Sequence, residues 1–238
     1  MGRRNLSALI GALAVLGSIA GAAAQKGGSA PLADLERRLE ANADDLATAN
    51  VYRRAVIESG EFDRAIRFFG KLVEAHPRAA NAYLNYGFVY VDKIPTAGAI
   101  TQVILANSAL TNFTRAIDLS PSWIGFYTRG VSYLFWPKIF GRVPLGLRDL
   151  EKALEIQRAG PRRPYHARTF VALGDGYWKA DDPQRARDLW REGLNQFPGH
   201  KPLEARLAAD ASALAAIIER AFDPALRVDT DLSALWSE

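Results

Sequence analysis

The chain of 238 residues has no cysteine, a single methionine and only three histidines. No cysteine means no disulfide, no thiolate metal site and no thiol nucleophile. His76, His166 and His200 are scattered, which leaves little for metal or general-base chemistry. A large charge imbalance is also missing: 30 Lys and Arg face 26 Asp and Glu, a formal net of +4. Basic and acidic side chains interleave, as in Arg185-Ala-Arg187-Asp188 and Arg148-Asp149. That is the pattern of a solvated helix surface, not of a phosphate track, and no nucleic-acid partner is expected. What is present is ordinary globular material, 49% apolar and 24% charged, in one or two domains.

One long uncharged run stands at the start. Met1-Gly-Arg-Arg-Asn5 is short and positive, and Leu6 to Ala24 carries no charge before closing on Ala22-Ala23-Ala24. This is the layout of a signal peptide over 1–24, cleaved after Ala24, with a flexible linker over 25–31. It implies export from a bacterial cytoplasm to a periplasmic or secreted location. An uncleaved anchor is the competing reading, and the small-residue ending argues against it. Arg3-Arg4 fits a plain basic start at least as well as a twin-arginine signal. Cleavage takes two arginines, no acid and the only Met, so 28 basic residues remain against 26 acidic ones, or +2. No stable membrane span is expected afterwards.

The rest repeats itself. Tyr83-x-x-Tyr86-Gly87-x-x-Tyr90, Phe126-x-x-Arg129-Gly130-x-x-Tyr133 and Phe170-x-x-Leu173-Gly174-x-x-Tyr177 share one spacing. Positions three, four and seven apart fall on one helix face. A second pattern places a Pro twelve residues after an Ala: Ala65-x-x-x-Phe69 then Pro77, Ala109-x-x-x-Phe113 then Pro121, Ala186-x-x-x-Trp190 then Pro198. Small packed against large joins two helices, and the Pro ends the second. Gly146-x-x-x-Leu150, ending at Gly160-Pro161, is a weaker copy.

At these residues the chain resembles the tetratricopeptide repeat (TPR) family, whose pattern is W-x2-L-G-x2-Y, then A-x3-F, then P. The resemblance covers about Leu46 to Gly199, with Arg53 where the first unit should have a small residue. It implies an all-α fold, a right-handed superhelical solenoid of antiparallel helix pairs with capping helices. The expected parts are a capping helix over 32–45, a repeat domain over 46–222 and a tail over 223–238. The repeat domain would hold about four degenerate repeats and a trailing cap, about Leu203 to Phe222. The tail is expected to fold back through Leu232, Leu235 and Trp236. Two insertions interrupt the pairs: Tyr90 to Ala109 spans 19 residues and Tyr133 to Gly146 spans 13, where the fourth unit has nine. They introduce loops over Val91–Gly98 and Phe135–Pro144, at the edge where solenoids carry binding loops.

No catalytic constellation emerges, no cofactor is expected, and the chain is read as a non-enzyme. In a solenoid the first helix of each pair lines a concave groove. The groove face holds Asn81, Asn85, Phe88 and Asp92 in the second unit, and Ile124, Thr128, Val131 and Phe135 in the third. In the fourth it holds Arg168, Ala172, Asp175 and Lys179. Asparagines can bond an extended backbone through both edges of their amide. The aromatic stretch Tyr133 to Arg142, with Phe135, Trp136, Lys138 and Arg142, is either a satellite core or a partner-binding hot spot. Three functions remain open. The first is an exported scaffold that binds a periplasmic or envelope protein or peptide. The second is a solute-binding accessory similar to the repeat-containing T-component of some periplasmic transport systems, with the insertions walling off a ligand pore. The third is a hydrolase, which would need paired carboxylates or a His–acid pair in one cleft.

Overall fold

A computed structural model describes residues 29–236; the expected signal peptide and most of the linker lie outside the described residues. Among the described residues there are eleven α-helices and no strand. Helix α1 (Ser29–Ala41) leads into the pair α2 (Leu46–Ser59) and α3 (Phe62–Ala75). Three more pairs follow: α4 (Ala80–Lys93) with α5 (Ala99–Leu119), α6 (Trp123–Leu134) with α7 (Val143–Ala159), and α8 (Ala167–Lys179) with α9 (Pro183–Gln196). Helices α10 (Lys201–Ala208) and α11 (Ala211–Ala221) close the stack. The result is an all-α solenoid of adjacent helix pairs.

The two sequence patterns have a single physical cause. In the last three pairs the large residue of the second helix sits on the glycine of the helix before it. A Cβ on Gly87 would stand 2.4 Å from the Phe113 ring, and one on Gly174 would stand 2.1 Å from Trp190 Nε1. Leu150 lies in the same way against Gly130, at 2.8 Å. Phe113 and Trp190 are fully buried at these crossings. Pro77, Pro121 and Pro198 each stand two residues past a helix end, at Ala75, Leu119 and Gln196.

The starts of the helices at Leu46, Trp123, Pro183 and Ala211 are capped by side chains, Asp45, Ser122, Asp182 and Asp210, that accept orphan amide protons. The Asp45 carboxylate accepts from the Thr48 N–H at 3.0 Å and the Thr48 hydroxyl at 2.7 Å. These bonds hold its pKa below the usual 3.8. Asp45→Ala is expected to lower stability by about 1 kcal/mol. Because the folded-state pKa is depressed, the contribution is present above about pH 4 and fades as pH falls through the folded value. Urea midpoints of the two chains at pH 7 and pH 3 check this: the gap should narrow at acid pH.

Two elements differ from expectation. The first insertion is mostly helix: a short 3-10 turn over Ile94–Thr96 is followed by α5, which runs 21 residues. The inserted residues lengthen a helix instead of opening a loop. The trailing cap is two helices, because Asp210 turns away at Ala209 and caps α11 by accepting from the Ala213 N–H at 2.8 Å. The capping side chain supplies at α11 what continuation of α10 would otherwise have to provide.

Candidate functional site

The tail is the element that defines the site. Beyond α11 the chain runs back across α8, α6 and α4 to α2, with no regular secondary structure over residues 227–232. Asp229 pairs with Arg168 of α8 at 3.2 Å. The Thr230 hydroxyl donates to Asp92 Oδ1 of α4 at 2.5 Å, and Arg227 donates to the Asp92 carbonyl. On α2, Arg53 donates to the Thr230 carbonyl at 2.7 Å, and Asn50 accepts the Leu232 N–H at 3.0 Å. The Asn50 amide also donates to Asp231 at 2.8 Å. Leu232 is buried with Leu84, Phe88 and Phe113 in the middle of the stack, and Leu235 packs beside them. Trp236 is 46% exposed.

Arg53 is the centre of this arrangement. It occupies the position where other units carry Gly, and its side chain is 1% exposed. Its guanidinium donates to Asp92 Oδ2 at 3.1 Å, Asn85 Oδ1 at 2.9 Å, Asn50 Oδ1 at 2.9 Å and the tail. The Phe88 ring lies 4.5 Å from its charged carbon. Burial pushes the Asp92 carboxyl up and the Arg53 guanidinium down, each opposed by the charge of the other. Such a group is tolerable only with all its hydrogen bonds made.

Beside this network lies a cavity of about 340 Å³. Phe88 and Val91 of α4, Val103 and Ala106 of α5, and Val131 of α6 form its walls. Phe135 and Trp136 close one end, and the tail residues Pro224, Leu226 and Val228 cover another side. Tyr127, also on the wall, has its hydroxyl pKa pushed up to about 12 by burial and stays neutral at physiological pH. The tail and the two insertions therefore border one half-open, mostly apolar space.

The expected groove residues divide three ways. Phe88 and Asp92 meet the tail, as does Arg168, while Asn85 accepts from Arg53 beneath it. Phe135, Trp136, Thr128 and Val131 line the cavity together with Phe88. The others serve local joints. Asn81 takes its N–H to the Asp44 carboxylate at 2.7 Å and donates its amide to the Asp44 carbonyl. Asp175 is buried under a two-pronged bond from Arg206 of α10, both arms 2.6 Å. Lys179 donates to the Leu134 carbonyl, and burial lowers its pKa. Lys138 pairs with Asp181 at 2.6 Å. Arg142 stacks 3.6 Å from the Trp136 ring centre and donates twice to Asn107 at 3.1 Å. Sequence reasoning missed Asn50 and Arg53; an arginine standing where a small core residue belongs was the signal that a buried acid must face it.

Compared with known proteins, the fold matches TTC0263, a thermophilic TPR protein of Thermus thermophilus, at TM-score 0.57 and 23% identity. That match covers 79% of this chain and 91% of the other. YrrB, a TPR protein with an unusual peptide-binding site, matches at 0.51 and 19% identity, over 84% and 94%. The chain has the TPR fold. MamA matches at 0.52 and 19% identity, over 71% of this chain and 90% of its own. No protein-family model matches the sequence, and no curated protein does. Within this TPR fold the groove carries a segment of its own chain, and the two insertions add the apolar chamber.

Proposed function

We propose that this protein is a non-catalytic scaffold that binds an extended segment of a periplasmic or envelope protein on its concave face. The observation that carries the reading is the tail in the groove. Asn50 and Arg53 take its backbone N–H and C=O, and Leu232 is buried in the cluster that holds Leu84 and Phe88 of α4. Side chains that bond a backbone at both edges read an extended peptide whatever chain supplies it. YrrB, whose peptide-binding site is its described feature, has the same fold. The non-catalytic reading is supported by the state of the ionisable groups. The buried acids Asp92, Asp149 and Asp175 are each held by an arginine. His166 packs between Trp123 and Tyr165 and accepts its own loop's Arg163 N–H.

The test loosens the tail in the full chain with Thr230→Ala and Leu232→Ala, then adds a labelled peptide copying residues 226–236. Fluorescence anisotropy should show the loosened chain binding the peptide at least tenfold more tightly than the unaltered chain. Equal, negligible binding by both would sink the groove reading. Affinity capture from envelope extract with the loosened chain then identifies the natural partner.

A further inference from the structure

We propose that the chamber between the two insertions is a binding site for a single-chain anionic amphiphile of the fatty-acid type, its aliphatic chain inside and its headgroup on Arg142. The inference stands apart from peptide binding in the groove, because it uses the cavity and its rim instead of the tail's hydrogen bonds. The cavity's size, about 340 Å³, lies within the range of small-molecule sites. Its wall is built mostly from aliphatic and aromatic side chains of α4, α5, α6, the Trp136 loop and the tail, with Gln102, Thr128, Ser132 and Thr230 as its neutral polar members. The one charged side chain on that wall, Asp229, is paired with Arg168 at 3.2 Å. An interior of this kind accepts hydrocarbon and rejects ions.

The rim adds two observations. Of the eight large apolar side chains most exposed among the described residues, five belong to the two insertions, and a sixth, Leu226 of the tail, lines the cavity itself. Ile100 and Ile104 flank the cavity residue Val103 on α5, and Ile139 and Phe140 follow the cavity residue Pro137. Ile139 is 90% exposed and Ile100 is 81% exposed. An apolar lip continuous with an apolar chamber gives a hydrocarbon chain a path of entry. The second observation is Arg142. Its guanidinium lies on Trp136, a cavity residue, and bonds the neutral Asn107, with no carboxylate partner among the described residues. Nearby Lys138 and Lys93 are paired, with Asp181 and Asp63. Arg227 and Lys179 also lack a carboxylate partner among the described residues but are spent on the Asp92 and Leu134 carbonyls, which leaves Arg142, on the neutral Asn107, as the rim cation whose fork geometry suits a carboxylate.

The experiment titrates the purified full chain with dodecanoate, dodecanol and dodecyltrimethylammonium, each below its micellar concentration, following tryptophan fluorescence and heat. Dodecanoate should saturate at one per chain and bind about tenfold more tightly than dodecanol, the margin expected of one charge-assisted hydrogen bond. The cationic probe should bind least. Arg142→Gln should bring dodecanoate to the dodecanol level and leave dodecanol unchanged. Ala106→Trp, which fills the chamber, should abolish all binding. Val103→Asp, at a half-exposed wall position where folding is not at risk, should weaken dodecanoate more than dodecanol. Dodecanoate binding that never saturates, or that survives Ala106→Trp in a chain of unchanged melting temperature, would overturn the site. Equal affinity for the three headgroups, or no effect of Arg142→Gln, would overturn the ligand class. Neither result bears on the peptide test, which reads the groove through Asn50 and Arg53.

Discussion

Asp92→Ala should be among the most damaging single substitutions in the chain, lowering stability by about 3–5 kcal/mol. The change leaves Arg53, 1% exposed, without its carboxylate and takes away the acceptor of the Thr230 hydroxyl. Most of the cost is the stranded guanidinium, and the ion pair itself contributes less. That distinction is testable, because removing both charges should be far milder than removing one. Arg53→Met combined with Asp92→Leu is therefore expected to recover most of the loss, measured by urea unfolding at pH 7. The double variant should still lose tail order, since Arg53 also holds the Thr230 carbonyl. Limited proteolysis should cleave it beyond residue 222 faster than the unaltered chain. If the double variant is as unstable as Asp92→Ala alone, the stranded-charge account is wrong.

The same pair shows where sequence reading succeeds and where it stops. The repeat units were legible because their spacing is local: a Gly, an aromatic and a Pro within some thirty residues encode a helix pair and its crossing. The length of α5 was not, since Ile94-Pro95 and Gly98 look like breakers, yet all three lie before its first residue, Ala99. The groove's occupant was hidden for a different reason. Thr230 bonds Arg53 across 177 positions and Leu232 bonds Asn50 across 182, and no periodicity spans such a gap. The fold-back through Leu232 and Leu235 could be anticipated from their apolar character, but not its course through the groove. Arg53 in a small-residue position was the one local sign, because a buried arginine requires an acid on a facing helix. The cavity was half legible: the aromatic cluster around Trp136 stood out, while its opposite wall on α5 and its tail cover depended on tertiary packing.

Gly174→Ala is expected to destabilise the chain by about 3 kcal/mol, the upper end of the range for an overpacked core. On helix propensity alone the change should stabilise α8 by about 1 kcal/mol, so the sign of the result decides between local and tertiary control. Tertiary control should win for a geometric reason. The new methyl would lie 2.1 Å from Trp190 Nε1 and 2.5 Å from its neighbouring ring carbon. Trp190 is fully buried and its ring N–H points to the Val171 carbonyl at 3.4 Å, so the ring has little room to yield. Shrinking the ring should relieve the clash: Gly174→Ala with Trp190→Leu should be less unstable than the sum of the two single changes. Gly160→Ala is the matched control. Its backbone is extended, the nearest atom to a new methyl is 3.9 Å away, and it should stay within about 0.5 kcal/mol of the unaltered chain. Thermal and urea unfolding of the four variants measure this. A neutral Gly174→Ala would mean that α8 and α9 can separate without cost, and the close crossing would no longer explain why glycine stands opposite an aromatic in these repeats.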